Sequence, residues 1–147
     1  MSHTFTKHHF HIVFSTQKRQ KLIAKAIRPQ LWSYMAGICR NTGVLALAIG
    51  GIEDHVHLLV ELKPDMTVAK AVNLLKSNSS SWMKQQENKF SWQEGYASFS
   101  VSASNIPAVK RYVLNQESHH RKMTYEDELL TLLRKHGIEF DPKEIFD

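Results

Sequence analysis

Cysteine is nearly absent. Cys39 is the only one in 147 residues, so no disulfide can form within the chain. A reducing compartment, the cytoplasm, is the expected setting. Gly37 and Ile38 beside it read as helix, where Cys39 serves as a small buried filler. Long apolar runs are missing as well. The longest, Val44 to Ile49, is far too short to span a bilayer. Met1 to Lys7 lacks the apolar stretch of a signal peptide. Repeats, low-complexity stretches and linkers are also lacking, which leaves residues 1–147 as a single domain with enough chain for a real core. Acidic residues are outnumbered, 14 against 19 Lys and Arg, for a net charge of +5 and a pI near 9.4. That balance suits a polyanionic partner but does not by itself identify one.

What the chain has in excess is histidine, nine residues in all. Two of them form His55-Val56-His57. Val56, Leu58, Val60 and Leu62 alternate with His55, His57, Leu59 and Glu61, the period of a half-buried strand. Both imidazoles then leave one face, with Cα atoms roughly 6.5–7 Å apart. Two neutral imidazoles at that spacing can converge on a divalent metal. A lone pair of this kind is more often solvated, so its meaning depends on the rest of the chain.

The pattern predicts a first strand over about residues 8–15, with His9 and His11 on the face shared with His55 and His57. A basic loop follows at residues 16–21. Ile27, Leu31, Tyr34 and Ile38 mark one face of a helix ending near Gly43. Val44–Ile49 reads as a second strand, and Gly50-Gly51 as the turn into His55–Leu62. Thr67 caps a long helix whose inner face carries Val68, Val72, Leu75, Ser79 and Trp82. Ala97 to Ala103 reads as a fourth strand. Ser104 caps a third helix, with Pro107 in its first turn. A last helix runs from about Tyr125 to His136, with Thr124 and Asp127 as a capping box and Gly137 as its stop.

This order predicts an α+β fold. Its core is a ferredoxin-like (RRM-like) split βαβ arrangement, an antiparallel sheet with helices on one face, plus extra C-terminal helices. In the third helix Tyr112 and Gln116 stand four residues apart and share a face, which His119 continues. A phenolate is a competent nucleophile toward phosphate and forms a covalent intermediate. A metal held by two histidines can polarise a phosphodiester, an amide oxygen can add a ligand, and basic residues can hold a polynucleotide backbone. The candidate DNA contacts are Lys18, Arg19, Lys76, Arg111, Arg121 and Lys122. Trp82 and Trp92 read as core or rim rather than stacking platforms.

Taken together these blocks resemble the single-tyrosine HUH transposases of small bacterial and archaeal insertion sequences, the insertion-sequence-200-like class of TnpA type. The resemblance rests on His55-Val-His57 within Gly-Ile-Glu-Asp-His-Val-His-Leu-Leu-Val, His11-Ile-Val-Phe-Ser-Thr, Trp92-Gln-Glu-Gly-Tyr-Ala-Ser-Phe-Ser-Val-Ser, and Tyr112-Val-Leu-Asn-Gln116 followed by His119-His120-Arg121-Lys122. It runs along nearly the whole chain. Ala97 departs from it, since the family carries glycine after the aromatic of the Gly-Tyr pair.

The resemblance implies that Tyr112 is the nucleophile and that His55, His57 and Gln116 bind Mg²⁺ or Mn²⁺. It implies single-stranded DNA with hairpins as substrate, a 5′-phosphotyrosine intermediate and a free 3′-hydroxyl. It further implies a homodimer in which the tyrosine helix can be exchanged between subunits. His119 or His120 competes with Gln116 as third ligand, or contacts phosphate. Three other readings are weighed against this one. A domesticated or inactive relative would bind single-stranded palindromic repeats without cutting them. An RNA-recognition module would show aromatics on its open sheet face, where this chain has histidines and serines. A zinc hydrolase would need Asp54 or Glu61 and not Tyr112.

Overall fold

A computed structural model describes residues 3–146. Four strands pair antiparallel in the order β2-β3-β1-β4: β1 His8–Ser15, β2 Leu45–Gly51, β3 His55–Leu62 and β4 Ala97–Val101. The helices are α1 Arg28–Thr42, α2 Val68–Lys84, α3 Ile106–Leu114, α4 Gln116–His119 and α5 Tyr125–Lys135. This is the split βαβ topology expected of the order of elements, with additional C-terminal helices.

Strict alternation along β1 and β3 divides the interior in two. Ile12, Phe14, Val56, Leu58, Val60 and Leu62 face one side. Leu31, Met35, Ile38 and Cys39 of α1 meet them there, with Ala71, Val72, Leu75 and Met83 of α2. Trp92 joins this core. Its ring stands edge-on to Phe14 and Phe90, and its Nε1–H donates to Ser79 Oγ at 2.9 Å. The other side carries His9, His11, His55, His57 and Leu59. A bare ferredoxin-like core leaves this face open, but here α3, α4 and α5 close it. Val113 packs on Ala48 and Leu59, while Tyr125, Leu129 and Leu133 pack on Val13 and Phe99. His55 and His57 are therefore fully buried instead of facing solvent.

Several local expectations need correction. Gly50 and Gly51 belong to β2, and Ile52–Asp54 makes the turn. These glycines serve close approach: a Cβ on Gly50 would lie 2.2 Å from the Val113 carbonyl oxygen, and one on Gly51 2.2 Å from that of His55. In α1 the buried stripe runs through Met35, not Tyr34. Tyr34 lies at the rim and stacks on Trp82 at 5.1 Å, since the helix is wedged between sheet and α2. In α2 the buried positions are Ala71, Val72, Leu75, Ser79 and Met83, with Val68 and Trp82 at the margin. Ser104 caps nothing. It lies in a 3₁₀ turn, Ala103–Asn105, and Asn105 precedes α3 without a side-chain cap bond. The third helix does not run through to His120. It breaks at Asn115 (φ −103°, ψ 27°), where the Gln116 amide Nε2 donates to the Tyr112 carbonyl and takes over a helical acceptor. The caps at Thr67 and Thr124 form as expected, with Lys70 N–H and Asp127 N–H donating to the threonine hydroxyls. Gly43 ends α1 in the left-handed region (φ 79°).

Candidate metal and nucleophile site

β3 supplies two imidazoles, α4 and its C-terminal end supply Gln116 and His120, and α5 supplies Glu128. The candidate ligand atoms of His55, His57, His120 and Glu128 all lie within 4.8 Å of one another. Glu128 Oε1 is 2.9 Å from His57 Nε2, 3.1 Å from His120 Nε2 and 3.3 Å from His55 Nε2. Gln116 Oε1 reaches the same group, 2.9 Å from His120 Nε2 and 3.2 Å from His55 Nε2.

The far nitrogen of each ring is anchored. His55 Nδ1 lies 2.7 Å from Asp54 Oδ1, His57 Nδ1 shares a 2.7 Å hydrogen bond with His11 Nε2, and His120 Nδ1 donates to the Met123 carbonyl at 2.6 Å. Such outer partners fix ring orientation and leave the Nε2 atoms converging on one point. Three imidazoles, one carboxylate and one amide oxygen aimed at a common centre form a donor set that fits a divalent ion.

The carboxylate and its nearest imidazoles shift one another's ionisation. Burial would raise the Glu128 carboxyl, but hydrogen bonds from His120, His55 and His57 hold it far below the usual range. Burial likewise opposes charge on His55, yet Asp54 and Glu128 overcome it and hold the imidazole up at about 9. At neutral pH an imidazolium thus supplies positive charge beside the carboxylate. Burial pushes His57 down to about 4, against the pull of Glu128. Burial and the neighbouring His57 take His11 to about 3.

Tyr112, half-buried on α3, donates its hydroxyl hydrogen to Glu128 Oε2, the second oxygen of the carboxylate that meets the histidines. His119 Nε2 lies 3.5 Å from the phenol oxygen and 3.1 Å from Glu128 Oε2. The two adjacent histidines thus part company, His120 facing the ligand cluster and His119 the phenol. Burial, and then the Glu128 charge, raise the Tyr112 hydroxyl well above its ordinary value.

Tyr112 lies between two grooves. One, of about 550 Å³, runs between β4, α3 and α5, with His11, Ser100, Ser102, Asn105 and Lys135 on its walls. The other, of about 410 Å³, is lined by Asn115, Ser118, His119 and Lys122.

The basic residues singled out in the sequence do not form one surface. Lys122 lines the second groove. Arg111 is exposed on α3, and Arg121 lies beside the Arg28–Glu117 pair. Lys18 is exposed in the turn after β1, in a left-handed conformation (φ 53°). Arg19 pairs with Glu126 and donates to the Phe146 carbonyl. Lys76 donates to the carbonyls of Gln93, Glu94 and Gly95, pinning the loop before β4.

Sequence reasoning missed Glu128. The available signal was a carboxylate within the apolar stripe Tyr125, Leu129, Leu132, Leu133, where a helix facing a core has no reason to carry charge.

A family model described as "Transposase IS200 like" matches residues 4–116. The transposase for insertion sequence element IS200 of Salmonella typhimurium is 27% identical over 124 residues, covering 79% of this chain and 81% of that protein. The ISDra2 transposase TnpA of Deinococcus radiodurans is 23% identical over 121 residues, covering 77% and 84%. Among solved structures, one described as a transposase from Deinococcus radiodurans R1 shares the fold with a TM-score of 0.65 and 21% identity, over 79% of this chain and 95% of that one. A REP-associated tyrosine transposase bound to a REP hairpin shares it with a TM-score of 0.58 and 11% identity, over 77% and 68%.

Proposed function

The chain belongs to the IS200-like transposase family, and from that premise we propose that it cuts and rejoins single-stranded DNA through Tyr112. The observation that carries this reading is the shared carboxylate: Glu128 accepts the phenol hydrogen on one oxygen and meets three imidazoles with the other. Nucleophile and metal donors therefore stand on either side of one group.

In the proposed reaction the Tyr112 oxygen attacks a phosphodiester. The phosphorus–O3′ bond breaks as the phosphorus–tyrosine bond forms, leaving a 5′-phosphotyrosine and a 3′-hydroxyl. Glu128 Oε2 accepts the hydrogen bond that orients the phenol, and the proton that Tyr112 releases is balanced by the one the departing O3′ takes up. A divalent ion held by His55, His57 and Gln116, with His120 beside them, would supply Lewis-acid polarisation of the scissile phosphate. Mg²⁺ or Mn²⁺ is the proposed ion. Manganese accepts imidazole more readily than magnesium does, so the abundance of nitrogen favours it.

The His57 ring is held in place by its hydrogen bond to His11, and the His55 ring by its contact with Asp54. The bond energy stays in the phosphotyrosine, so rejoining needs no ATP. The two grooves beside Tyr112 offer a path for the strand on either side of the scissile phosphate. Lys122 and Lys135 lie along them, and Arg111, Arg121 and Lys18 are the remaining exposed candidates for backbone contact. Lys76 and Arg19 already spend their charge within the protein. DNA hairpins are the proposed partner, bound by two copies of the chain acting together.

The test is a denaturing gel with a library of hairpin-bearing single-stranded DNAs, Mn²⁺, and either wild-type or Tyr112→Phe protein. A protein–DNA band that survives denaturant, needs metal and disappears in Tyr112→Phe is the expected result. Specific binding with no covalent band, across a library that includes the cognate ends, would favour a relative that binds palindromic repeats without cutting them.

A further inference from the structure

Glu128 lies on α5, twelve residues beyond the segment that the family model matches. It is 1% exposed, and an ionised carboxylate so placed is costly unless several partners meet it. Its partners are unusual in kind. Oε1 is ringed by the Nε2 atoms of three histidines whose other nitrogens are already engaged. Oε2 receives the Tyr112 hydroxyl.

Nothing about packing α5 requires this. Tyr125, Leu129 and Leu133 anchor the helix on Val13 and Phe99, and Thr124 caps it. A leucine at position 128 would serve that purpose without leaving a charge in the interior. The donor chemistry is incomplete without Glu128 as well. Imidazoles and one neutral amide suit soft and borderline ions, whereas Mg²⁺ and Mn²⁺ favour anionic oxygen.

We propose that Glu128 is a metal ligand in this protein, one that holds the ion through Oε1 and the nucleophile through Oε2 and so fixes the distance between them. The assignment rests on the reading that this cluster binds a divalent ion. It makes α5 part of the reaction centre rather than an appendage to the fold.

The test is Mn²⁺ binding to the full chain in the absence of DNA, followed by isothermal titration and by the electron paramagnetic resonance signal of free Mn²⁺. Glu128→Gln keeps the shape and removes the anion. It should weaken Mn²⁺ binding by about 10- to 100-fold or more, with a circular dichroism spectrum like that of the wild type. A folded Glu128→Gln protein with wild-type Mn²⁺ affinity would overturn the assignment.

Should that variant fail to fold, Mn²⁺ soaked into crystals of the wild type gives an independent answer. Anomalous density within about 2.2 Å of Glu128 Oε1 supports the assignment, and density out of reach of that oxygen overturns it. Wild-type protein that takes up no Mn²⁺ sinks this assignment and the metal part of the proposed function together. A metal-binding wild type with an unaffected Glu128→Gln sinks this assignment alone.

Discussion

Cys39 shows what burial does to a single group. Its thiol is 1% exposed in the core between α1 and the sheet, and burial raises its ionisation to about 11, from an ordinary value near 9. A folded-state value above the unfolded one contributes stability that is fully present below pH 9 and lost as pH rises toward 11. The urea midpoint should therefore fall across that window. A thiol reagent at pH 8 should find no cysteine in the native protein and one in the denatured protein. A freely reactive native thiol would contradict the packing described. At this same scale the sequence could single out His55, His57, Tyr112 and Gln116 as candidates, because spacing within a strand or a helix turn is a local property. Glu128 was hidden because its meaning depends on which strand α5 covers, and no local pattern encodes that docking. His119 and His120 were ambiguous for a related reason: both stand within a turn of Gln116, and only the docking of α5 separates their partners, His119 meeting the phenol and His120 the ligand cluster.

Elements whose pattern answers to one environment were legible to the residue. β1 and β3 alternate cleanly, and the expected bounds of both agree with the structure. Elements answering to two neighbours were not: α1 lies between sheet and α2, so its stripe moved by one position, and β2 kept the two glycines that looked like a turn. Gly50 is the point where α3 is seated on the sheet. Gly50→Ala would force a Cβ against the Val113 carbonyl, with backbone on both sides and nothing free to yield. We expect a loss of about 1–3 kcal/mol in urea unfolding and a weaker covalent band, since the helix that must shift carries Tyr112. Gly37→Ala is the contrasting change. It lies within α1, and its new methyl meets only the Arg40 side chain at 3.6 Å. It should raise stability by about 0.5–1 kcal/mol and leave the covalent band unchanged. Equal effects from the two substitutions would refute the seating of α3.

For the whole molecule the question is whether one copy suffices to build a site. Val113 is fully buried on Ala48 and Leu59, which seats α3 on the sheet that carries the histidines. Mixing Tyr112→Phe protein with His57→Ala protein should therefore restore no covalent adduct. Restoration, in subunits that exchange α3, would show that one copy's tyrosine works against its partner's histidines. Among the described residues no helix is long and apolar enough to cross a membrane.

One spacing carries a consequence of its own. His57 and Glu128 stand 71 residues apart in the chain, yet their side chains meet at 2.9 Å. The His-Val-His pair is adjacent from the moment it is made, but the carboxylate arrives only after the sheet has formed and the last helix has docked. Closing so long a loop is an entropic cost borne by the complete fold and not by any fragment of it. The cluster around Glu128 is thus a property of the finished chain, and a fragment that stops before α5 keeps the histidine pair and the tyrosine but not the carboxylate between them.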